Sequence, residues 1–553
     1  SIPFAVAQLA AVFSYRQFRR RGLDPALTGW ALGVSAIASS SALAVVLIVG
    51  AVAGVAPLAT AAGFLGGAVF ALPAITVILA LRYPRARAVA NRVLSWAVHM
   101  IRRIFHRPGI DPAALDELIE RLGGKPYWSG VQLDETAFPV LLAAQLEERG
   151  ELNGTEVGDM IRRALSFIVC NGPASDQDRW EEDAGINTFT LAACIAALVC
   201  GAPHLDSEAR ELALAVADYW NASLEDWTSV AGTPLARRQG LAGYYVRVAP
   251  REALRDRRAL QSVLPVRNQA LDPGLPAFAQ VGVDFLQLVR FGLRRADDPL
   301  IAATVRLADM LLKVDTPTGP CWHRYNDDGY GEHADGSAYD GTGVGRAWPL
   351  LTGERGHYEL AAGADPLPLL LAMVRMASPG GMLPEQIWDA APVPARGLEP
   401  GRPTGSAMPL AWTHAEYIKL VVSRSLGRPF DRPALVWQRY AGRRPRLERI
   451  IWCEHAPASE LPEGSALTVA ATAPATFRWG FDGWNDICEQ RTTATTLGLH
   501  IVEIDTTRLK GGRSIDLTYR LEPSGAWVGR DFHISVVGAG EAAKAALAGE
   551  GEA

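Results

Sequence analysis

The chain is poor in cysteine and lysine, and each scarcity narrows what it can be. Six cysteines are spread over 553 residues without a C-x-x-C pair, so neither a zinc site nor a disulfide framework is predicted. Cys170, Cys194 and Cys200 lie in apolar stretches, and we expect them to be buried free thiols. Most of the 54 basic residues are arginine and the net charge is −5, which gives no reason to expect nucleic-acid binding.

Charged residues are absent from residues 25–81. This run far exceeds the roughly 20 apolar residues that cross a bilayer. A break at residues 54–57 (GVAP) divides it into two predicted transmembrane helices, about 29–53 and 61–81. The sequence therefore predicts that residues 1–110 are a membrane region in contact with the lipid bilayer. The alternative is a helical hairpin buried in a soluble core.

Arginines flank this uncharged run on both sides (Arg16, Arg19, Arg20 and Arg21 before it; Arg82, Arg85, Arg87 and Arg92 after it). By the positive-inside rule both ends lie in the cytoplasm, which predicts an inner-membrane protein whose remaining domains are cytoplasmic. The region from Tyr15 onward resembles the last membrane helices of the lysylphosphatidylglycerol-synthase or flippase-like families. A fragment of such a protein joined to a different domain is therefore one interpretation of the whole chain.

The hydrophobic period changes along the rest of the chain. Apolar residues recur at helical spacing in residues 126–426, for example in 189–199, 281–291 and 367–376. From about residue 444 they alternate between turn residues, as in β-strands. We therefore predict a helical domain at 111–435, a small β-sandwich at 444–540 and a disordered tail at 541–553.

Five acidic residues fall within residues 176–183, where Glu181 and Glu182 follow Trp180 directly. An aromatic neighbour that excludes water disfavours the charged form of a carboxyl group and raises its pKa toward that of a general acid. The alternative is an acidic helix N-terminus, where carboxylates are stabilised by the helix dipole.

A second candidate carboxyl group is Glu385, in the segment 379–389 (PGGMLPEQIWD). Gly380 and Gly381 permit sharp backbone turns, and Trp388 is close by. The alternative is an exposed loop glutamate.

Residues 177–185 (QDRWEEDAG) resemble the catalytic-acid segment of the glucoamylase and glucodextranase family, glycoside hydrolase family fifteen. The resemblance implies that Glu181 is the proton donor, while Asp178, Trp180 and Glu182 surround the sugar. The segment around Glu385 resembles the general-base motif of the same family, which implies that Glu385 activates water.

Three further segments resemble this family. They are 127–135 (YWSGVQLDE), 322–332 (WHRYNDDGYGE) and 409–417 (PLAWTHAEY). The resemblance implies that Trp128 packs over the sugar, that Arg324 hydrogen-bonds the terminal glucose and that Trp412 lines the pocket. Segment 345–356 (GRAWPLLTGERG) also matches; we expect Arg346 and Glu354 in it to pair with each other or with neighbours.

The family implies a mainly α fold. We expect an incomplete (α/α)6-toroid-like helical barrel, preceded by the two-span membrane hairpin and followed by the small β-sandwich. The expected function is an inverting, exo-acting hydrolase that releases glucose from α-glucan ends. The carboxyl groups should lie roughly 6.5–9.5 Å apart, leaving room for a water, and no cofactor or metal is needed.

Two alternatives remain open. One is an α,α-trehalase of the same family. The other is a catalytically impaired, membrane-anchored glycan-binding or scaffold protein. One observation favours the second: the family's Arg-Asp loop, which grips the terminal glucose, has no counterpart between Arg107 and Lys125. The presence of both Glu181 and Glu385 with their aromatic neighbours opposes it.

Overall fold

A helical region and a β region follow one another in the computed structural model, which describes residues 130–538. The helices are α1 Leu133–Glu148, α2 Gly158–Asn171, α3 Thr188–Gly201, α4 Ser207–Thr228, α5 Pro234–Gln239, α6 Leu286–Arg290, α7 Pro299–Leu311, α8 Pro349–Ala361, α9 Leu367–Met376, α10 Ala411–Leu426 and α11 Ala434–Tyr440. Short strands between them are β1 Ile186–Asn187, β2 Ser229–Ala231, β3 Gly243–Tyr245, β4 Val248–Ala249, β5 Lys313–Thr316 and β6 Gly319–Trp322. The predictions for Trp128, for the membrane region and for the tail lie outside the described residues.

Helix α3 is the centre of the helical region. It has no charged residue, and all of its side chains are buried, as expected of a helix that is apolar on every face. Its first turn is capped by Asn187, whose side-chain oxygen accepts hydrogen bonds from the backbone N–H groups of Phe189 (2.9 Å) and Thr190 (3.2 Å). It packs against α1, α4, α6 and α11.

Five helices follow one another as neighbours in space: α1, α3, α6, α8 and α10. A second layer, formed by α2, α4 and α9, packs against these helices. Two layers of helices in this order agree with the α/α architecture expected from the sequence. Within residues 130–538, five helices occupy the first layer, and the six-helix ring that the fold name implies is not completed there.

A cleft of about 1120 Å³ lies between α1 and the final helices α10 and α11. Apolar side chains line it, including Phe138, Leu142, Phe430 and Leu435. Leu142 is 57% exposed, which is unusual for a leucine in a packed helical layer. The cleft therefore separates the first and last helices of the described series.

The β region is a sandwich of two sheets. Its strands are β7 Arg449–Cys453, β8 Glu460–Pro462, β9 Ala466–Ala471, β10 Ala475–Phe481, β11 Asn485–Arg491, β12 Thr493–Ala494, β13 His500–Ile504, β14 Ser514–Leu521 and β15 Phe532–Val537. The sheet orders are β11-β10-β14-β15-β8 and β12-β13-β9-β7. Trp452 of one sheet packs against Phe532 of the other, with ring centroids 4.8 Å apart.

The helix predicted at residues 281–291 is largely wrong. In the segment 281–291 only Leu286–Arg290 is helical, because the first residues bond to a distant loop: the N–H of Val281 donates to the side-chain oxygen of Asn326 (2.7 Å), and Gly282 forms an isolated β-bridge with Tyr325. None of the helices between residues 130 and 538 combines the length and apolar character needed to cross a bilayer.

Candidate active site

The acidic segment forms a loop between α2 and α3. Ser175 and Gly185 close its neck by exchanging two backbone hydrogen bonds of 2.9 Å each. Inside the loop, Asp178 Oδ1 accepts from the backbone N–H groups of Trp180 and Glu182, both at 3.1 Å. Glu181 between them has a φ of 61°, a left-handed conformation that is uncommon for residues other than glycine. Such strained residues concentrate at functional sites.

Arg247 binds three carboxylates of this loop with one buried guanidinium group. Its Nη2 lies 3.1 Å from Asp178, 2.8 Å from Glu182 and 3.0 Å from Asp183. Its Nη1 donates to the side-chain oxygen of Gln280 at 3.1 Å. A planar guanidinium group with several donors suits such multiple contacts, and its charge offsets the cost of burying adjacent acids.

Glu181 differs from every other acid in the loop. Asp176 pairs with Arg251 at 2.9 Å, and Asp178, Glu182 and Asp183 bind Arg247. The side chain of Glu181 makes no hydrogen bond or ion pair to any residue within 130–538, and the residue is exposed. Its carboxyl group is therefore available to a ligand.

Glu182 accepts four hydrogen bonds and is tightly fixed. The donors are Arg247 (2.8 Å), Arg324 (2.8 Å), the Tyr325 hydroxyl (2.6 Å) and Asn268 Nδ2 (2.5 Å). Burial raises its pKa, and the two guanidinium groups only partly oppose this rise.

Glu385 lies on the loop after α9, and its N–H donates to the carbonyl of Ala407 at 2.8 Å. The residue is 7% exposed, and its Oε1 has no hydrogen-bond partner among the described residues. Burial raises the pKa of Glu385, whereas a hydrogen bond from Tyr330 and the charge of Arg324 lower it. A buried carboxyl group with an unpartnered oxygen can accept a proton from a bound water.

Arg324 connects the two acidic segments. Its Nε and Nη2 donate to Asp328 at 2.8 and 2.7 Å, and Nη2 also donates to Glu182 at 2.8 Å. Its charge acts on Glu385 as well. The remaining nitrogen, Nη1, makes no hydrogen bond within residues 130–538. The loop after α2 is therefore bound to this guanidinium group through Glu182, and Glu385 of the loop after α9 lies within the range of its charge.

Aromatic rings surround the guanidinium group of Arg324. Trp180 packs edge-on against Trp348, with centroids 5.2 Å apart, and lies 5.7 Å from Trp412. Tyr330 lies 6.2 Å from Trp348 and 4.8 Å from the Arg324 guanidinium. Apolar walls with a few polar groups are typical of small-molecule pockets, and flat rings match the faces of pyranose sugars.

The structure brings together most of the site residues expected from the sequence: Asp178, Trp180, Glu181, Glu182, Arg324, Glu385 and Trp412. Helix α3 begins at Thr188, after the acids, so the alternative of an acidic helix N-terminus is wrong. Arg346 and Glu354 have structural partners, but not each other: Arg346 pairs with Asp389 (2.8 Å) and Glu354 with Arg179 (2.7 Å).

Sequence analysis missed Arg247, Tyr330 and Trp348. A signal for Arg247 was present, since it is a lone charge in the apolar segment 243–249 (GYYVRVA), and a charge in such a run must be paired if it is buried. No group of three His, Cys, Asp or Glu side chains within residues 130–538 is arranged so that it could hold a metal ion; the clustered acids of the site bind arginines.

The site combines two carboxyl groups in different environments with aromatic rings, on an α/α scaffold. These features are typical of a site that processes carbohydrates. The model of the family "Glycosyl hydrolases family 15" matches residues 120–422, more than half of the 553 residues. The chain therefore belongs to this family.

Two glucoamylases are similar to this chain. The glucoamylase of Clostridium sp. (strain G0005) is 40% identical over 329 residues, which cover 58% of this chain and 43% of that protein. The crystal structure of a bacterial glucoamylase complexed with acarbose is 37% identical with a TM-score of 0.50, and the match covers 58% of this chain and 44% of that one. The chain thus spans less than half the length of these relatives.

Proposed function

We propose that this protein is an inverting, exo-acting glycoside hydrolase that releases glucose from the ends of α-glucans, with Glu181 as acid and Glu385 as base. The observation that carries this proposal is the contrast between the two glutamates. Glu181 is exposed and unpaired within the described residues, whereas Glu385 is buried with an unpartnered oxygen; Glu181 follows Trp180 in the chain, and the charge of Arg324 acts on Glu385. The family and the two glucoamylase relatives support the same reaction.

The proposed reaction is a single displacement. The Glu181 carboxyl group donates its proton to the glycosidic oxygen as the bond to the anomeric carbon breaks. Glu385 takes a proton from a water molecule, whose oxygen attacks the anomeric carbon from the opposite face. The product is β-glucose, and the two carboxyl groups return to their starting states by exchanging protons with solvent. The expected separation of about 6.5–9.5 Å leaves space for this water.

Substrate binding is assigned to the fixed polar groups and the rings around them. Nη1 of Arg324 can donate to a sugar hydroxyl, while its other nitrogens keep the guanidinium in place through Asp328 and Glu182. Trp180 and Trp412 provide apolar faces for the ring. Trp128 is proposed as a further contact from the sequence resemblance alone.

The test of the proposal is Glu385→Gln, which keeps the size of the side chain but cannot accept a proton. We expect loss of glucose release with retained sugar binding, measured by a glucose assay and by calorimetry; proton NMR of the wild-type reaction should show β-glucose first. Glu399→Gln, at an exposed loop position, is the matched control. Normal glucose release by Glu385→Gln would refute the role.

Substrate choice is tested with maltose, starch, dextran and α,α-trehalose. Cleavage of trehalose alone would support the trehalase alternative. Binding without turnover of any of them would support the glycan-binding alternative, which is favoured by one observation: the first helical layer is not closed within residues 130–538.

We also propose, from the sequence alone, that residues 25–81 attach the protein to the inner membrane and leave the hydrolase domain in the cytoplasm. The uncharged run and the flanking arginines support this. Cell fractionation of the full chain and of a chain that starts at residue 111 tests it. Recovery of both in the soluble fraction would refute membrane attachment.

A further inference from the structure

Arg247 lies beside the acidic loop on a short two-stranded ladder. Strand β1 begins directly after the neck of the loop, and strand β4 begins directly after Arg247. They pair antiparallel, with Asn187 opposite Val248 and Ile186 opposite Ala249. The Asn187 side chain also donates to the carbonyl of Arg247 at 3.0 Å. The backbone therefore fixes the distance between the arginine and the loop.

Arg247 is fixed by further contacts of its backbone and its side chain. Its backbone N–H donates to the carbonyl of Gln280 at 2.9 Å, and the centroid of the Tyr325 ring lies 3.5 Å from the guanidinium carbon. Because its side chain is fully buried, the position of Arg247 is fixed. The acidic loop therefore takes the conformation in which its carboxylates reach the guanidinium group.

These contacts determine the conformation of Glu181. Arg247 binds Asp178, which lies three positions before Glu181, and it also binds Glu182 and Asp183, which directly follow Glu181. Three residues lie between the anchored Asp178 and Glu182: Arg179 and Trp180 are buried, and Glu181, with its left-handed φ of 61°, is the exposed one. That conformation is unfavourable for a residue other than glycine and persists only where the surroundings enforce it.

We propose that Arg247 is the positioning residue of the general acid: it holds Asp178, Glu182 and Asp183 so that Glu181 is presented, strained and unpaired, to the leaving-group oxygen. This inference rests on the proposed function. Arg247 is buried behind the loop, so it acts through Glu181 and not by touching the sugar. Lysine cannot replace it, because an ammonium group lacks the planar set of donors that reaches three carboxylates and Gln280 together.

The test compares two substrates with different need for an acid. Maltose requires protonation of a sugar oxygen as it leaves, whereas α-glucosyl fluoride loses fluoride, which needs little proton donation; both need the water activated by Glu385. For Arg247→Met and Arg247→Lys we expect kcat on maltose to fall roughly 100-fold, the effect of misplacing a reacting group by about 1 Å. On α-glucosyl fluoride it should fall less than about tenfold.

The matched control is Arg294→Met. Arg294 is an equally buried arginine that pairs with Glu225 (2.6 Å) and Asn221 (2.7 Å), away from the acidic loop. Its loss should lower both activities by one common factor, the lost folded fraction. If Arg247→Met folds poorly, the test is made with Arg247→Lys, which retains a buried charge. The activity of this variant on α-glucosyl fluoride measures the fraction of molecules with an intact site.

The outcomes separate the two proposals. Equal losses on both substrates, or no loss on maltose, with an active wild-type protein would overturn the role of Arg247 and leave the hydrolase function standing. A wild-type protein that cleaves neither substrate would overturn the proposed function and, with it, the role of Arg247.

Discussion

Arg179 and Glu354 form a two-point buried ion pair behind the indole of Trp180. Nη1 and Nη2 of the arginine donate to the two carboxylate oxygens at 2.7 and 3.1 Å, and the guanidinium carbon lies 4.4 Å from the Trp180 ring centroid. Because Asp178 on the other side is held by Arg247, Trp180 is fixed from both directions. Helix α8, which carries Glu354, thus supports the loop that carries the acid.

Glu354→Ala should be strongly destabilising. It leaves the buried charge of Arg179 with Asp284 as its remaining ion-pair partner, and breaking a buried pair typically costs about 3–5 kcal/mol. Urea unfolding measures the loss. Glu359→Ala is the control on the same helix, since Glu359 pairs with Arg355 near the surface, and its loss should cost less than about 1 kcal/mol. Similar costs for both variants would contradict the structural role of the pair.

Tyr330→Phe should change the pH dependence of catalysis. The Tyr330 hydroxyl donates a hydrogen bond that stabilises the ionised form of Glu385 and lowers its pKa. Without it, the pKa of Glu385 rises further above its ordinary value, and a base that must be ionised is lost at higher pH. We therefore expect the acidic limb of the kcat/KM profile to move to higher pH.

Tyr339→Phe serves as the comparison for that measurement. The Tyr339 ring packs against Tyr330, with centroids 5.0 Å apart, but its hydroxyl donates to Asn268 at 2.6 Å and not to Glu385. Its acidic limb should stay in place. A shift of the same size in both variants would show that ring packing, not the hydrogen bond, controls the base.

Asp134→Asn should stabilise the protein at neutral pH. Burial raises the pKa of Asp134 from 3.8 to about 6, and its Oδ1 has no partner within residues 130–538. As pH rises through this window the unfolded chain releases the proton while the folded protein retains it, so stability falls with increasing pH. The asparagine avoids that cost, which is about 3 kcal/mol at pH 7.

The pH dependence of the gain is the sharper part of that prediction. Below about pH 3 the carboxyl group of Asp134 is mostly neutral in both states, so the advantage of Asp134→Asn should vanish there. Urea unfolding at acidic and neutral pH measures it. Asp159→Asn, at an exposed position, should give no gain at either pH. A gain of Asp134→Asn that is the same at both pH values would contradict the raised pKa.

Much of the candidate site could be predicted from short sequence motifs. The segments around Glu181 and Glu385 each combine an acid with a neighbouring tryptophan, and such a pairing is visible without coordinates. Helical periodicity likewise placed α9 at residues 367–376, where the structure has it. These features depend on residues close together in the chain, which is what pattern analysis reads.

The contacts that organise the site could not be found in this way. Arg247 reaches back more than sixty positions to Asp178 and Glu182, and only the pairing of β1 with β4 brings them together. Residues 281–285 have helical spacing, but Val281 and Gly282 bond to Asn326 and Tyr325, and residues 283–285 form a turn. Long-range contacts of this kind override local preference.

Gly185→Ala tests whether the neck of the acidic loop must stay closed. Gly185 has a φ of 150°, and a Cβ there would lie 2.3 Å from the carbonyl oxygen of Ala249, so β1 and β4 would have to separate. Strain of this kind costs about 1–3 kcal/mol before the clash is added. Because the ladder also sets Arg247 against the loop, kcat of the folded protein should fall by roughly tenfold or more. Gly240→Ala is the control: its φ is 63°, but nothing lies near the added Cβ, so it should cost about 1 kcal/mol and leave kcat unchanged. Full activity of Gly185→Ala would show that the loop tolerates movement of the ladder, and the positioning of Glu181 would then have to come from the loop alone.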